Sequence, residues 1–172
     1  MVEDIEKARH WRYFLLLEAD FERSLRFVEP APENAGTFSL EFLRQLLSAC
    51  AQFEVLTRLW CEERAAPGSK LGNIGEIREA MFTREPYLSE AEVNLMTRNE
   101  RVFPFRGWTA DQPPVWWTAY NKVKHDPVKA LAGATLANVR DALAALGLVA
   151  ASYVGKANRI HPTRVFSIDW DF

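Results

Sequence analysis

The feature that most constrains the fold is an alanine- and leucine-rich segment that covers residues 128–154. Apolar side chains occupy a wide arc of the helix that this segment predicts, so most of that helix is unsuited to contact with water. We therefore predict that it lies at the centre of a helical bundle. Its apolar run, within residues 142–154, is shorter than a membrane span requires.

Helical periodicity and capping residues predict the other principal helices, at residues 4–28, 40–64, 74–82 and 115–125. Ser39 and Asn73 are the expected N-caps of the second and third helices, and Pro113-Pro114 opens the fourth. Asp126-Pro127 is expected to cap and begin the last helix at Val128. On the first helix the spacing predicts a buried face of Tyr13, Leu16, Leu17, Asp20, Phe21, Ser24, Leu25 and Val28. On the second helix it predicts a core stripe of Phe42, Leu46, Ala49, Phe53, Leu56 and Trp60.

Two segments do not follow helical periodicity. In residues 88–108, Ser89 and Glu92 form a potential capping box, which favours a short helix. Val93 and Leu95 alternate with polar residues, which favours a hairpin or an ordered loop. Residues 160–172 alternate as well, which predicts a short extended segment that packs on the bundle or on a partner. We expect one mainly α (all-α) domain over residues 1–172, with four to five principal helices and an irregular or hairpin insertion around 88–112.

Composition limits the function classes. The chain has 172 residues, 48% of them hydrophobic, and a formal net charge of −2, so binding to nucleic acid would need a local basic patch. Cys50 and Cys61 are eleven residues apart on one predicted helix, roughly 16 Å along its axis, which is too far for a disulfide. His10 and His161 show no spacing to a metal-ligand set. We expect a cytoplasmic protein without membrane span, metal or cofactor.

The segment with most chemical content is residues 116–126, WWTAYNKVKHD. At 100° per residue, Asn121, Lys124 and His125 fall on neighbouring angles beside Trp117, while the remaining apolar residues face the other way. An imidazole, an amide and lysines suit a phosphodiester: they offer an acid/base, an orienting group and positive charge. The alternative is a solvated face, with His125 closing the helix.

Glu54 and Arg58 form a second pair at the edge of the second helix, at i and i+4. One interpretation is an exposed ion pair worth a few tenths of a kcal/mol. In the other, this edge faces Asn121 and His125, with Glu54 orienting one of them.

The run at 116–126, together with ATLANV at 134–139 and the helix at 37–58, resembles bacterial HEPN-like helical proteins. The resemblance implies an all-α bundle that often dimerises, and in many members a metal-independent ribonuclease activity in defence or stress systems. Other members bind only nucleotides or partners. The family pattern is an Arg followed, after four to six residues, by a His. His125 matches the His and Asn121 the polar position after the Arg, whereas Tyr120 stands at the Arg position.

Two functions follow as expectations. The first is a HEPN-like ribonuclease or RNA-binding protein, in which His125 assists attack by the RNA 2′-hydroxyl, Lys124 and Arg58 neutralise charge, and Asn121 and Glu54 orient groups. RNA or a nucleotide is then the ligand. The second is a non-catalytic helical binding or scaffold module that uses a tryptophan-rich surface. In both cases we expect a homodimer.

Overall fold

The computed structural model describes residues 2–63, 71–155 and 162–168. Within these ranges five helices dominate: α1 (Val2–Ser24), α2 (Leu40–Glu62), α3 (Ile74–Arg84), α4 (Val115–His125) and α5 (Leu136–Val154). Three short strands accompany them: β1 (Val93–Leu95), β2 (Glu100–Val102) and β3 (Phe166–Ile168). The mainly helical fold class is confirmed.

Helix α5 is the element around which the others pack, in contact with α1, α2 and α4. Thirteen of its residues are buried, which confirms that a helix apolar over a wide arc is enclosed. Its smallest interior residue, Gly147, faces Phe14 of α1 and Ile168 of β3. A Cβ atom at Gly147 would lie 2.6 Å from the Ile168 Cδ1 atom, so the position admits no larger side chain without a shift.

The predicted start of α5 at Val128 is wrong, since the helix begins eight residues later at Leu136. The Thr135 side chain accepts a hydrogen bond from the Asn138 backbone N–H at 3.2 Å. The N–H groups of Leu136 and Ala137 donate to the carbonyls of Thr37 and Ala35. These partners satisfy N–H groups that a helix leaves unpaired at its first turn, which explains why the helix begins here.

Asp126, the predicted cap, instead organises a turn. Its carboxylate accepts a hydrogen bond from the Lys129 backbone N–H at 3.1 Å, and a short 3-10 helix (Leu131–Gly133) follows. Asp126 therefore closes α4 and does not open α5.

The insertion after α3 forms a hairpin, so the hairpin alternative is the correct one. Strands β1 and β2 pair antiparallel, with Val93 opposite Val102, and β3 pairs antiparallel on the other side of β1. The predicted capping box at Ser89 is wrong: the Ser89 hydroxyl donates to the Pro86 carbonyl within a 3-10 helix (Pro86–Glu90). The extended segment predicted for the tail is confirmed over Phe166–Ile168. Residues 160, 161 and 169–172 of that prediction lie outside the described residues.

Helices α2 and α3 begin as predicted. The Ser39 hydroxyl accepts from the Phe42 N–H, and the Asn73 side chain accepts from the N–H groups of Gly75 and Glu76. The predicted core stripe of α2 is buried throughout: Phe42, Leu46, Ala49, Phe53, Leu56 and Trp60. The predicted end of α2 at residue 64 lies outside the described residues.

The buried face of α1 differs from the prediction. Tyr13 and Leu16 are exposed, and the buried positions are Trp11, Phe14, Leu17, Glu18 and Phe21. Large aromatic side chains at positions 11, 14 and 21 bury more area than Tyr13 and Leu16 offer, and the helix turns to enclose them. An acidic residue, Glu18, is thereby carried inside.

Glu18 is 1% exposed and holds the C-terminal strand. Its carboxylate accepts hydrogen bonds of 2.9–3.1 Å from the backbone N–H groups of Arg164, Val165 and Phe166. Burial raises the pKa of Glu18, and the three N–H donors oppose that rise without cancelling it. We call Glu18 with these three N–H groups the Glu18 junction.

Among the described helices, none combines the length and apolarity that crossing a bilayer demands.

Candidate functional site

Helix α4 is held in place by its aromatic face. The Trp116 indole N–H donates to the Pro104 carbonyl at 2.9 Å, and the rings of Trp116 and Trp117 pack against Phe53 of α2 at 5.1 and 6.1 Å. On another side, Gly133 approaches Ala119 and Val123. Since both sides are packed, the remaining face of α4 presents its side chains from a fixed support.

The sequence-predicted polar residues lie along that remaining face. Asn121 is half-buried, while Lys124 and His125 are exposed at the end of the helix. Within the described ranges, none of the three side chains makes a hydrogen bond or an ion pair with another residue. The Lys124 ammonium lies over the Tyr120 ring, 5.3 Å from its centre. The predicted split of α4 into a packed and a polar side is confirmed.

The described residues do not form the aromatic surface predicted beside these polar side chains. Trp117 is 5% exposed, and the other tryptophans of the described chain are buried as well. They are Trp11, Trp60, Trp108 and Trp116. The tryptophan-rich surface assigned to a scaffold module is therefore not formed by these residues, and Trp170 lies outside the described residues.

The end of α4 coincides with His125, as predicted. The backbone N–H of Asp126 donates to the Lys122 carbonyl at 3.1 Å and closes the last turn. Lys122, Lys124 and His125 are the basic residues of this turn, where the helix dipole favours positive charge. The last turn of α4 therefore carries two lysines and a histidine, distributed around the exposed end of the helix.

Glu54 and Arg58 form the predicted ion pair, at 2.9 Å between Oε1 and Nη2. Their side chains are 29% and 30% exposed, and the same Arg58 nitrogen lies 3.5 Å from the Gly72 carbonyl. Glu54 directly follows Phe53, which packs on Trp116 and Trp117. In the part of the chain that is described, Glu54 makes no hydrogen bond to Asn121 or His125, and its orienting role stays a prediction.

No protein-family model, curated protein or solved structure matches the chain. The chemistry of the α4 end therefore has to be argued from its own residues. We call Asn121, Lys122, Lys124 and His125 the α4 polar cluster.

Two further polar atoms lie next to this cluster. The Trp117 indole N–H is buried without a hydrogen-bond partner. The Tyr120 side chain packs its ring on Trp117 at 5.1 Å and on the Lys124 ammonium. The helical spacing alone predicts a packing role for Tyr120 on the apolar side of α4. The available signal was its position directly before Asn121 and four residues before Lys124, which places it one turn from the charged end.

Proposed function

We propose that this chain is a HEPN-like helical bundle whose α4 polar cluster binds RNA and cleaves it without a metal ion, as part of a bacterial defence or stress system. The observation that carries the proposal is the state of the cluster. Its cations have no carboxylate partner among the described residues, and its backbone is fixed by buried aromatic rings. Unpaired cations on a rigid support suit an anionic ligand that arrives from outside.

The chain's acidic net charge does not contradict this ligand. Phosphate contacts are local, and each cation that neutralises a phosphate contributes through release of counterions. Lys122 and Lys124 supply two such charges from the last turn of α4. Arg58 supplies a third from α2 once its guanidinium is oriented by Glu54. RNA binding should therefore weaken as the salt concentration is raised. The slope of log binding constant against log salt concentration depends on the number of phosphate contacts.

The reaction that fits these groups is internal transesterification. The RNA 2′-oxygen attacks its neighbouring phosphorus, the bond from phosphorus to the 5′-oxygen breaks, and the products are a 2′,3′-cyclic phosphate and a 5′-hydroxyl. His125 accepts the proton of the 2′-hydroxyl and returns it to the departing 5′-oxygen. Lys124 neutralises the charge that develops on the phosphate, and Asn121 holds the imidazole or the substrate by a hydrogen bond.

The test is cleavage of a fluorescein-labelled single-stranded RNA in the presence of EDTA. We expect cleavage by the wild type, with a 2′,3′-cyclic end on the product, and loss of about 10²–10⁴-fold in rate for His125→Ala. Lys129→Ala is the matched control, because Lys129 lies just beyond the cluster and already pairs with Asp126. Equal rates for wild type and His125→Ala, at equal thermal stability, would exclude the proposal.

A second candidate is a non-catalytic, self-associating binding module. The observation that favours it is exposed apolar surface near the connection between α1 and α2, where Phe27, Phe38 and Leu40 are 87%, 51% and 72% exposed. Large apolar side chains left in water often mark a contact surface. We expect Leu40→Ser with Phe27→Ser to convert a dimer into a monomer in light scattering. A monomeric wild type would remove this candidate.

A further inference from the structure

Tyr120 combines a buried ring with a free hydroxyl. The residue is only 4% exposed, and its ring packs on Trp117 and lies beneath the Lys124 ammonium. Its hydroxyl makes no hydrogen bond with the described chain. It is also not one of the fully buried polar atoms that lack a partner there, which are Gln45 Oε1, Arg84 Nε, Asn94 Oδ1 and Trp117 Nε1. The small exposed fraction of Tyr120 therefore includes its hydroxyl oxygen.

Such an arrangement is unusual for a residue that serves only packing. A tyrosine that is otherwise enclosed normally directs its O–H to a protein acceptor, because leaving that donor unpaired costs free energy. Here the hydroxyl opens to the surface on the ring that the Lys124 ammonium covers, 5.3 Å from the ring centre. The phenol O–H is consequently a donor at the surface, one helical turn from the charge of Lys124.

We infer that the Tyr120 hydroxyl is a substrate-binding group of the α4 polar cluster, which donates a hydrogen bond to a non-bridging oxygen of the RNA phosphate. This inference rests on the proposed function and adds a residue to it. The hydrogen bond leaves the proton on the tyrosine, so the two-proton-transfer role of His125 is unchanged. Lys124 contributes charge, and Tyr120 contributes direction, because its ring is fixed and the lysine stem is flexible.

Tyr120→Phe removes the hydroxyl and leaves the ring in place. We expect it to weaken binding of a fluorescein-labelled single-stranded RNA, measured by anisotropy, by about tenfold or more, since a hydrogen bond to a charged group is stronger than one between neutral groups. Its melting temperature should match that of the wild type. Tyr13→Phe, on the exposed surface of α1, is the matched control and should bind RNA as the wild type does.

The outcomes separate the inference from the function on which it rests. Weakened binding in Lys124→Ala together with unchanged binding in Tyr120→Phe would overturn the inference and leave the proposed function standing. A wild type that neither binds nor cleaves the RNA would overturn both. Weakened binding in Tyr120→Phe but not in Tyr13→Phe, with both variants equally stable, supports the role assigned to the hydroxyl.

Discussion

At the Glu18 junction a carboxylate that is 1% exposed accepts hydrogen bonds from three consecutive backbone N–H groups. At the end of α4, by contrast, an amide, two lysines and an imidazole make no hydrogen bond or ion pair within the described chain, although the Lys124 ammonium lies over the Tyr120 ring. Both regions place polar groups beside a tightly packed aromatic core. The Glu18 carboxylate is hydrogen-bonded within the protein, whereas the polar side chains at the end of α4 remain available to a ligand. We therefore expect substitutions at the junction to change stability and substitutions in the α4 polar cluster to change binding.

The largest expected effect on stability is that of Glu18→Ala. It removes the acceptor for the N–H groups of residues 164–166, at least two of which are buried. Leaving such donors unpaired costs about 1–3 kcal/mol each, so we expect a loss of about 3 kcal/mol in the free energy of unfolding. Urea denaturation measures it. A loss below about 1 kcal/mol would mean that water or a rearranged strand satisfies these groups.

Replacement of Glu18 by glutamine tests the charge of the same residue and should cost less, because the amide oxygen still accepts. The folded protein raises the pKa of Glu18 above its ordinary value of 4.5, mainly through burial. The carboxyl group therefore contributes its full stability below about pH 4.5 and loses part of it as the pH rises through the folded pKa.

Glutamine does not titrate in this range. The stability of the wild type relative to Glu18→Gln should consequently fall as the pH rises above about 4.5, the ordinary pKa of the group. Parallel unfolding curves at several pH values measure the difference. A difference in stability that stays constant with pH would show that the pKa of Glu18 is the same in the folded and unfolded protein.

Gly147→Ala tests the packing that β3 imposes on α5. The new Cβ atom would meet Ile168 Cδ1 at 2.6 Å and Phe14 Cζ at 3.0 Å. Overpacking costs about 1–3 kcal/mol, which the better helix propensity of alanine offsets by about 1 kcal/mol. We expect a net loss of about 1 kcal/mol. Gly133→Ala serves as control, because its nearest neighbours lie at ordinary contact distances of 3.8 and 3.9 Å.

The smallest effects on stability should come from the α4 polar cluster. Lys122→Ala and His125→Ala remove exposed side chains without ion-pair partners in the described chain, so unfolding free energies should change by less than about 0.5 kcal/mol. The same variants should weaken RNA binding. Loss of each phosphate contact should reduce, by about one, the slope of log binding constant against log salt concentration. A destabilisation of 2 kcal/mol or more would mean that these residues stabilise the fold, as Glu18 does, and do not serve binding alone.

Prediction from sequence succeeded where the deciding contacts are local in the chain. The caps at Ser39 and Asn73 and the apolar stripe of α2 depend on residues within one or two helical turns, so local patterns were sufficient. The phase of α1 was wrong because Trp11 and Phe14 compete with Tyr13 and Leu16 for burial, and long-range packing decides such a competition. The start of α5 was wrong because the N–H groups of its first turn are satisfied by a loop nearly a hundred residues earlier in the chain.

The candidate site divides in the same way. The sequence by itself determined that Asn121, Lys124 and His125 share one side of a helix that ends at His125, because the helical repeat and the Asp126-Pro127 boundary are local. Only the tertiary structure decided that Trp117 is enclosed and that Tyr120 keeps its hydroxyl at the surface. It also decided that Glu18 lies inside. Burial depends on which distant elements pack against a residue, and the periodicity of one helix carries no information about those partners.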